Sequence, residues 1–264
     1  MALTSKQRLP RASASSRTWW GWVLAAAEVA VAYRLGQQAG WWGLAVVIIA
    51  AMELRSLWWS RRPADLGRVA VLWGRLPGVI LGVSATLIIA TVPRQATQVV
   101  VALLYALWLA WRERESMAAP VTLVQLLLVQ AVMFEAIFLM AAIWQLPTVA
   151  ALVLVWAGAY FSVYAALTRR QDPAAGVMAA TWGVIAAEVS WILLIWLITY
   201  TMHGGYVLVP QPALILTGLA YVFGSILVSS RQGNLSRARL GEYLVIALVL
   251  VMIVVVGTSW RGNV

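Results

Sequence analysis

The 264-residue chain has no cysteine, a single histidine and charged side chains at only 11% of its positions. Without cysteine there are no disulfides, no thiolate metal sites and no cysteine nucleophile, and the redox compartment leaves no mark on the sequence. His203 alone cannot form an imidazole cluster within one chain. Catalytic signatures are missing as well. There is no phosphate-binding glycine loop, no paired-aspartate cluster for a prenyl or sugar phosphate, no HExxH zinc helix and no serine nucleophile elbow. An enzyme here would have to be built from scattered glutamates.

What fills the chain instead is apolar. Hydrophobic residues make up 63% of it and the mean hydropathy is +0.86, well beyond the roughly one-half apolar share of a soluble domain. This composition predicts a polytopic membrane protein. The formal net charge of +10 would point to nucleic acid in a soluble chain, but the basic residues sit mostly in short connections between apolar runs. Their role is orientation rather than nucleic-acid binding.

A hydrocarbon core about 30 Å thick takes roughly 20 apolar residues as a helix. Runs near that size cover 18–36, 40–59, 70–92, 95–111, 119–145, 148–168, 176–201, 210–229 and 239–259. The third is interrupted in its first turns by Arg75 and Pro77. The runs lack an alternating polar face, and bare backbone cannot be left unpaired in lipid, so helices are required rather than a barrel. The expected fold is all-α, a polytopic membrane helical bundle of about nine transmembrane helices. Residues 1–17 form a basic cytoplasmic tail and 18–264 a single bundle. The tail, rich in Ser, Ala and Arg, resembles a transit peptide in composition, but the run after it carries Glu28 and no cleavage site, and reads as a retained first helix.

With the N-terminus cytoplasmic, only Arg34, Arg94 and Arg261 fall in outer segments, and the other sixteen of the 19 Lys and Arg fall in inner ones. This positive-inside bias predicts a multi-pass protein of the cell membrane with an odd number of spans. Trp19, Trp20, Trp41, Trp42, Trp58, Trp59, Trp108, Trp111, Trp144 and Trp260 lie near predicted helix ends, where an amphipathic ring prefers the headgroup layer.

A repeat of about 53 residues, one helical hairpin long, is visible in the acids. Glu28, Glu135, Glu188 and Glu242 are separated by 107, 53 and 54 residues, and the skipped position near 81–84 offers Leu81, Gly82 and Ser84. Trp22 with Ala26-Ala27-Glu28-Val29 matches Trp182 with Ala186-Ala187-Glu188-Val189 residue for residue. Three second helices share a proline at the start, a tyrosine in the middle and an arginine at the inner end: Pro93, Tyr105 and Arg112; Pro147, Tyr160 and Arg169; Pro212, Tyr221 and Arg231.

Glu28, Glu135 and Glu188 each stand near the middle of an apolar run, with no Lys or Arg at comparable depth. A charged side chain at a helix centre costs roughly 2.5–3.5 kcal/mol on an insertion scale. Acids this deep must shed their charge or be held by a cation, a bound amine or several donors. Two readings follow. The acids form a proton or cation site between helices one, five and seven, with Glu188 foremost and Ser84, Tyr160, Ser190 and Trp191 as supporting polar groups, or they are neutral and join helices by hydrogen bonds. Glu53 and Arg55 read as an interface-level ion pair. His203, in a loop beside two glycines, reads as neither metal ligand nor pigment ligand. Trp156, Trp182, Trp191 and Trp196 lie away from helix ends and either pack within the bundle or stack on a ligand. Small residues, Ala157, Gly158 and Ala165 on the sixth helix and Gly218, Ala220 and Gly224 on the eighth, predict close helix contact.

The leading functional expectation is proton- or cation-coupled transport of a small solute. The alternative is a non-catalytic subunit of a larger membrane complex, holding a pigment or lipid between tryptophan-rich helices. A membrane enzyme acting on a lipid comes third. The expected partners are membrane lipids and other membrane proteins, and the sequence names no cofactor.

Overall fold

A computed structural model describes residues 23, 26–35, 37, 41–54, 68–114, 123–170, 172–195, 197–202, 207–233 and 236–259. The segment 1–17, Trp19, Trp20, Trp22, Arg55, Trp58, Trp59, Arg61, Arg62, Trp196, His203, Gly204, Gly205, Tyr206, Trp260 and Arg261 lie outside these residues.

The described residues are nearly all helical. The helices are α1 (26–35), α2 (Trp42–Leu54), α3 (Arg68–Thr91), α4 (Gln95–Arg114), α5 (Leu123–Ile143), α6 (Thr148–Arg169), α7 (Ala175–Ile195), α8 (Gln211–Arg231) and α9 (Arg237–Ser259). Four of them, α5 to α8, are long and apolar enough to cross a membrane. Nine full spans, the expected number, are not established by helix length and composition.

One departure from the expected helices is local. The seventh apolar run extends to residue 201, yet α7 stops at Ile195 and Thr199–Met202 (β1) pairs antiparallel with Val207–Pro210 (β2), Thr199 opposite Pro210. The cause is composition. Thr199, Tyr200 and Thr201 favour an extended backbone, and the Gly-Gly that follows in sequence favours reversal over a further helical turn. The third run departs in the opposite sense. Despite Pro77, α3 is continuous through Arg68–Thr91.

Helix starts follow the prolines. Pro147 is the N-cap of α6, Pro212 sits in the first turn of α8, and Pro93 precedes α4, each where the helix that it opens requires no N–H.

Helix α5 is central. It packs against α3, α6, α8 and β2, and the unbroken run Ala136 to Met140 is buried around the whole helix. Helix α3 is the second hub, touching α2, α4, α5 and α6. Helices α6 and α7 use one-sided contacts. On α7 the buried stripe is Ala175, Ala179, Trp182, Gly183, Ala186, Ser190 and Leu193, whereas Val177, Val184, Ile185, Trp191, Ile192 and Ile195 face outward. Small residues inside and large apolar ones outside are what lipid demands: with no hydrophobic drive between helices, close backbone approach supplies the contact. A methyl group on Gly158 would run into the Met133 sulfur, and one on Gly224 would lie 2.5 Å from a Leu123 methyl.

Cross-contacts join the ends that an up-and-down order brings together. Trp42 at the start of α2 meets Trp144 at the end of α5 with ring centroids 5.0 Å apart. Trp73 in α3 meets Tyr164 near the end of α6 at 4.5 Å. Arg231, ending α8, bonds Asp172 in the α6–α7 connection at 2.7 Å. Gln37, after α1, donates to Gln98 at the start of α4 at 2.7 Å, and Gln98 donates to the carbonyls of Ile89 and Val92 at 3.1 and 2.8 Å. One buried amide thus satisfies both the Ile89 carbonyl, whose helical donor would have been the N–H that Pro93 lacks, and the Val92 carbonyl just past the end of α3.

A candidate functional site at an acid-bearing cavity

Helices α4 and α5 both rest on α3 but diverge from one another, and the space between them is a cavity of about 630 Å³. Its floor is Leu81, Ala85 and Ile88 of α3 and Val92 just beyond that helix's end. One wall carries Thr97, Val101, Leu104, Tyr105, Trp108 and Trp111 of α4, and the other Leu128, Ala131, Val132, Glu135 and Leu139 of α5. Leu104, Leu107, Leu128 and Trp111 are exposed, so the cavity opens sideways through the flank of the bundle.

Among the described residues that line the cavity, Glu135 is the one carboxyl and there is no Lys or Arg. Among the described residues its side chain makes no hydrogen bond and no ion pair. An acid on an apolar wall without a protein partner has the capacity to take a proton or to meet a cation brought from outside.

Tyr105 belongs to two environments. It lines the cavity with Glu135, and its hydroxyl lies 3.5 Å from Glu28 Oε2, a long hydrogen bond. Glu28 and Tyr105 are buried, 3% and 2% exposed. The hydroxyl fits because residue 82 is glycine: a Cβ there would lie 2.6 Å from Tyr105 Oη and 2.8 Å from Ile49 Cγ2. The missing side chain at residue 82 therefore makes room for a tyrosine hydroxyl that reaches Glu28.

The other sequence-predicted residues are elsewhere. Glu188 is on the exposed face of α7 and does not line the cavity. Its helix is separated from α5 by α6 and α8, so helices five and seven do not converge. Ser84 is buried on α3 off the cavity wall. Ser190 is buried on α7, where its hydroxyl donates to the Ala186 carbonyl at 2.6 Å. Trp191 is 61% exposed. Tyr160 stacks between Trp156 and Tyr164 along α6, with centroids at 5.8 and 5.6 Å. Trp182 is buried against Phe223 at 5.0 Å, so Trp156 and Trp182 both pack on other aromatic rings of the bundle. Glu53 is 2% exposed, and its expected partner Arg55 lies outside the described residues. Helices α5 and α6 are also joined by a buried bond from Gln130 Nε2 to Ser162 Oγ at 2.9 Å.

Tyr105, which lines the cavity and bonds Glu28, carried one signal in the sequence: like Tyr160 and Tyr221 it stands mid-helix between a proline at the start and an arginine at the end. The outward placement of Glu188 was signalled too, since it falls between the small residues Ala186 and Ser190 and shares its face with Val184, Ile185 and Trp191. No protein-family model matches the chain, and neither a curated protein nor a solved structure does.

Proposed function

We propose that the protein is a multi-pass carrier of the cell membrane, N-terminus cytoplasmic, that moves a small solute in a cycle coupled to protons or cations at Glu135. Glu28, reached through the Tyr105 hydroxyl, is its second acid. The observation that carries this reading is the partnerless carboxyl of Glu135 on the wall of an apolar cavity of about 630 Å³, within the size range of small-molecule sites. Coupling follows from occupancy: one carboxyl holds a proton or faces a cation, but not both. Among the groups that line the cavity the other titratable one is Tyr105, with Glu28 beyond its hydroxyl. The reading is tested in proteoliposomes under an imposed pH gradient. Glu135→Gln is expected to abolish pH-dependent flux while leaving the unfolding transition in place, and unchanged flux would reject the assignment.

One observation favours the alternative, a subunit of a larger membrane complex. Glu188 stands on the outer face of an apolar helix, partnerless among the described residues, and an acid facing hydrocarbon is costly enough to call for a covering polar group. Under this reading a photo-crosslinker at Ile185 or Ile192, on the same face, captures a neighbouring membrane protein in native membranes. Under the carrier reading it captures lipid.

A further inference from the structure

The chemistry of the cavity narrows what it holds. Its walls are hydrocarbon apart from Thr97, Tyr105, Glu135 and the indoles, so a sugar or other polyhydroxylated solute would leave most of its hydroxyls without partners. An anionic headgroup would bring its charge to a wall that, among the described residues, has one carboxyl and no Lys or Arg. A hydrated metal ion needs several oxygen ligands, and among the described residues no three His, Cys, Asp or Glu side chains gather.

A cation that carries its own apolar surface meets none of these obstacles. Its charge needs one counter-charge, which Glu135 supplies, and the attraction is strong where the surroundings are of low dielectric. Trp108 and Trp111, edge to face at 5.6 Å and 86°, and Tyr105 add aromatic surface of the kind that attracts cations. The sideways mouth at Leu104 and Leu128 admits a molecule already dissolved in lipid.

We propose that the cavity binds a monovalent lipophilic organic cation, its charge against Glu135 and its apolar body against Leu104, Trp108 and Trp111. This rests on the carrier reading for its purpose and on the cavity alone for its chemistry. Protons compete with the ligand for the same carboxyl, so binding weakens as the medium is acidified.

The probe is labelled tetraphenylphosphonium, measured by equilibrium binding to the purified full-length protein in detergent. Saturable binding is expected, at least tenfold weaker in Glu135→Gln and unaltered in Glu188→Gln. Tetraphenylborate, the same shape with the opposite charge, is expected not to compete. Leu104→Trp, at an exposed position on the mouth, narrows the cavity without touching the carboxyl and is expected to weaken binding as well. Equal competition by tetraphenylborate overturns the proposal, as does full affinity in a Glu135→Gln protein with the wild-type unfolding transition. If Glu135→Gln does not fold, Leu104→Trp decides, and unaltered affinity there overturns the proposal. Binding without flux in proteoliposomes would reject the carrier and leave the ligand class standing. Proton-coupled flux of an uncharged solute with no tetraphenylphosphonium binding would do the reverse.

Discussion

Gly82→Ala tests the packing that places Tyr105 between an acid and the cavity. Two opposing effects set the outcome. In an unconstrained helix the change is favourable by about 1 kcal/mol, because alanine loses less backbone freedom than glycine. At position 82, however, the new methyl would lie 2.6 Å from Tyr105 Oη, 2.8 Å from Ile49 Cγ2 and 3.3 Å from Tyr105 Cζ. Tyr105 is 2% exposed and Ile49 is fully buried, so making room for the methyl means shifting packed side chains. Overpacking of this kind costs about 1–3 kcal/mol, which offsets the helix gain and leaves a net loss of up to about 2 kcal/mol. Gly241→Ala on α9 is the control, since no heavy atom lies within 4 Å of its would-be Cβ and only the favourable effect applies there. The assay is equilibrium unfolding in detergent for both variants and for Gly82→Ala in a Tyr105→Phe background. Removing the hydroxyl relieves the closest contact and leaves the one with Ile49, so the cost of Gly82→Ala should shrink without vanishing. If Gly82→Ala stabilises as much as Gly241→Ala does, and does so independently of the tyrosine hydroxyl, the packing argument is refuted.

Other contacts make their own predictions. Gln98→Leu removes the donor shared by the Ile89 and Val92 carbonyls and the acceptor for Gln37. It should destabilise by about 1–3 kcal/mol in the same unfolding assay, more than loss of the exposed partner in Gln37→Leu. Asp172 accepts from the Ala174 N–H at 2.9 Å, forming the turn into α7, and bonds Arg231, which is about half exposed. Asp172→Ala should therefore cost about 1–2 kcal/mol. Asp172→Asn keeps the turn and should cost less, and its remaining cost, that of the lost ion pair, should shrink at high salt. Gln145, between α5 and α6, has a φ of 54°; Gln145→Gly should raise stability by up to about 1 kcal/mol, and a loss would mean that its side chain matters to the turn.

The sequence anticipated the helices wherever the deciding interaction is local. The runs 148–168 and 210–229 became α6 and α8 within a few residues, because about 20 apolar residues and a proline at the start are sufficient to define a helix in lipid. Its misjudgements were local as well. The end of the seventh run depended on whether β-branched residues before a Gly-Gly pair with one another or continue the helix, and hydropathy does not distinguish the two. Pro77 looked like an interruption, yet α3 runs through it, in contact with four other helices.

By itself, then, the amino-acid order determined a helical chain built for lipid, with three acids deep in its apolar runs. Only the tertiary structure decided which acids share a space. Depth along a helix is written in the residue order, but the direction a side chain faces depends on which neighbours the helix acquires. A stripe of alanine, glycine and serine turned α7 inward and carried Glu188 outward. The missing side chain of Gly82 let Tyr105 reach Glu28, while α4 and α5, diverging over α3, left Glu135 at the edge of an apolar cavity.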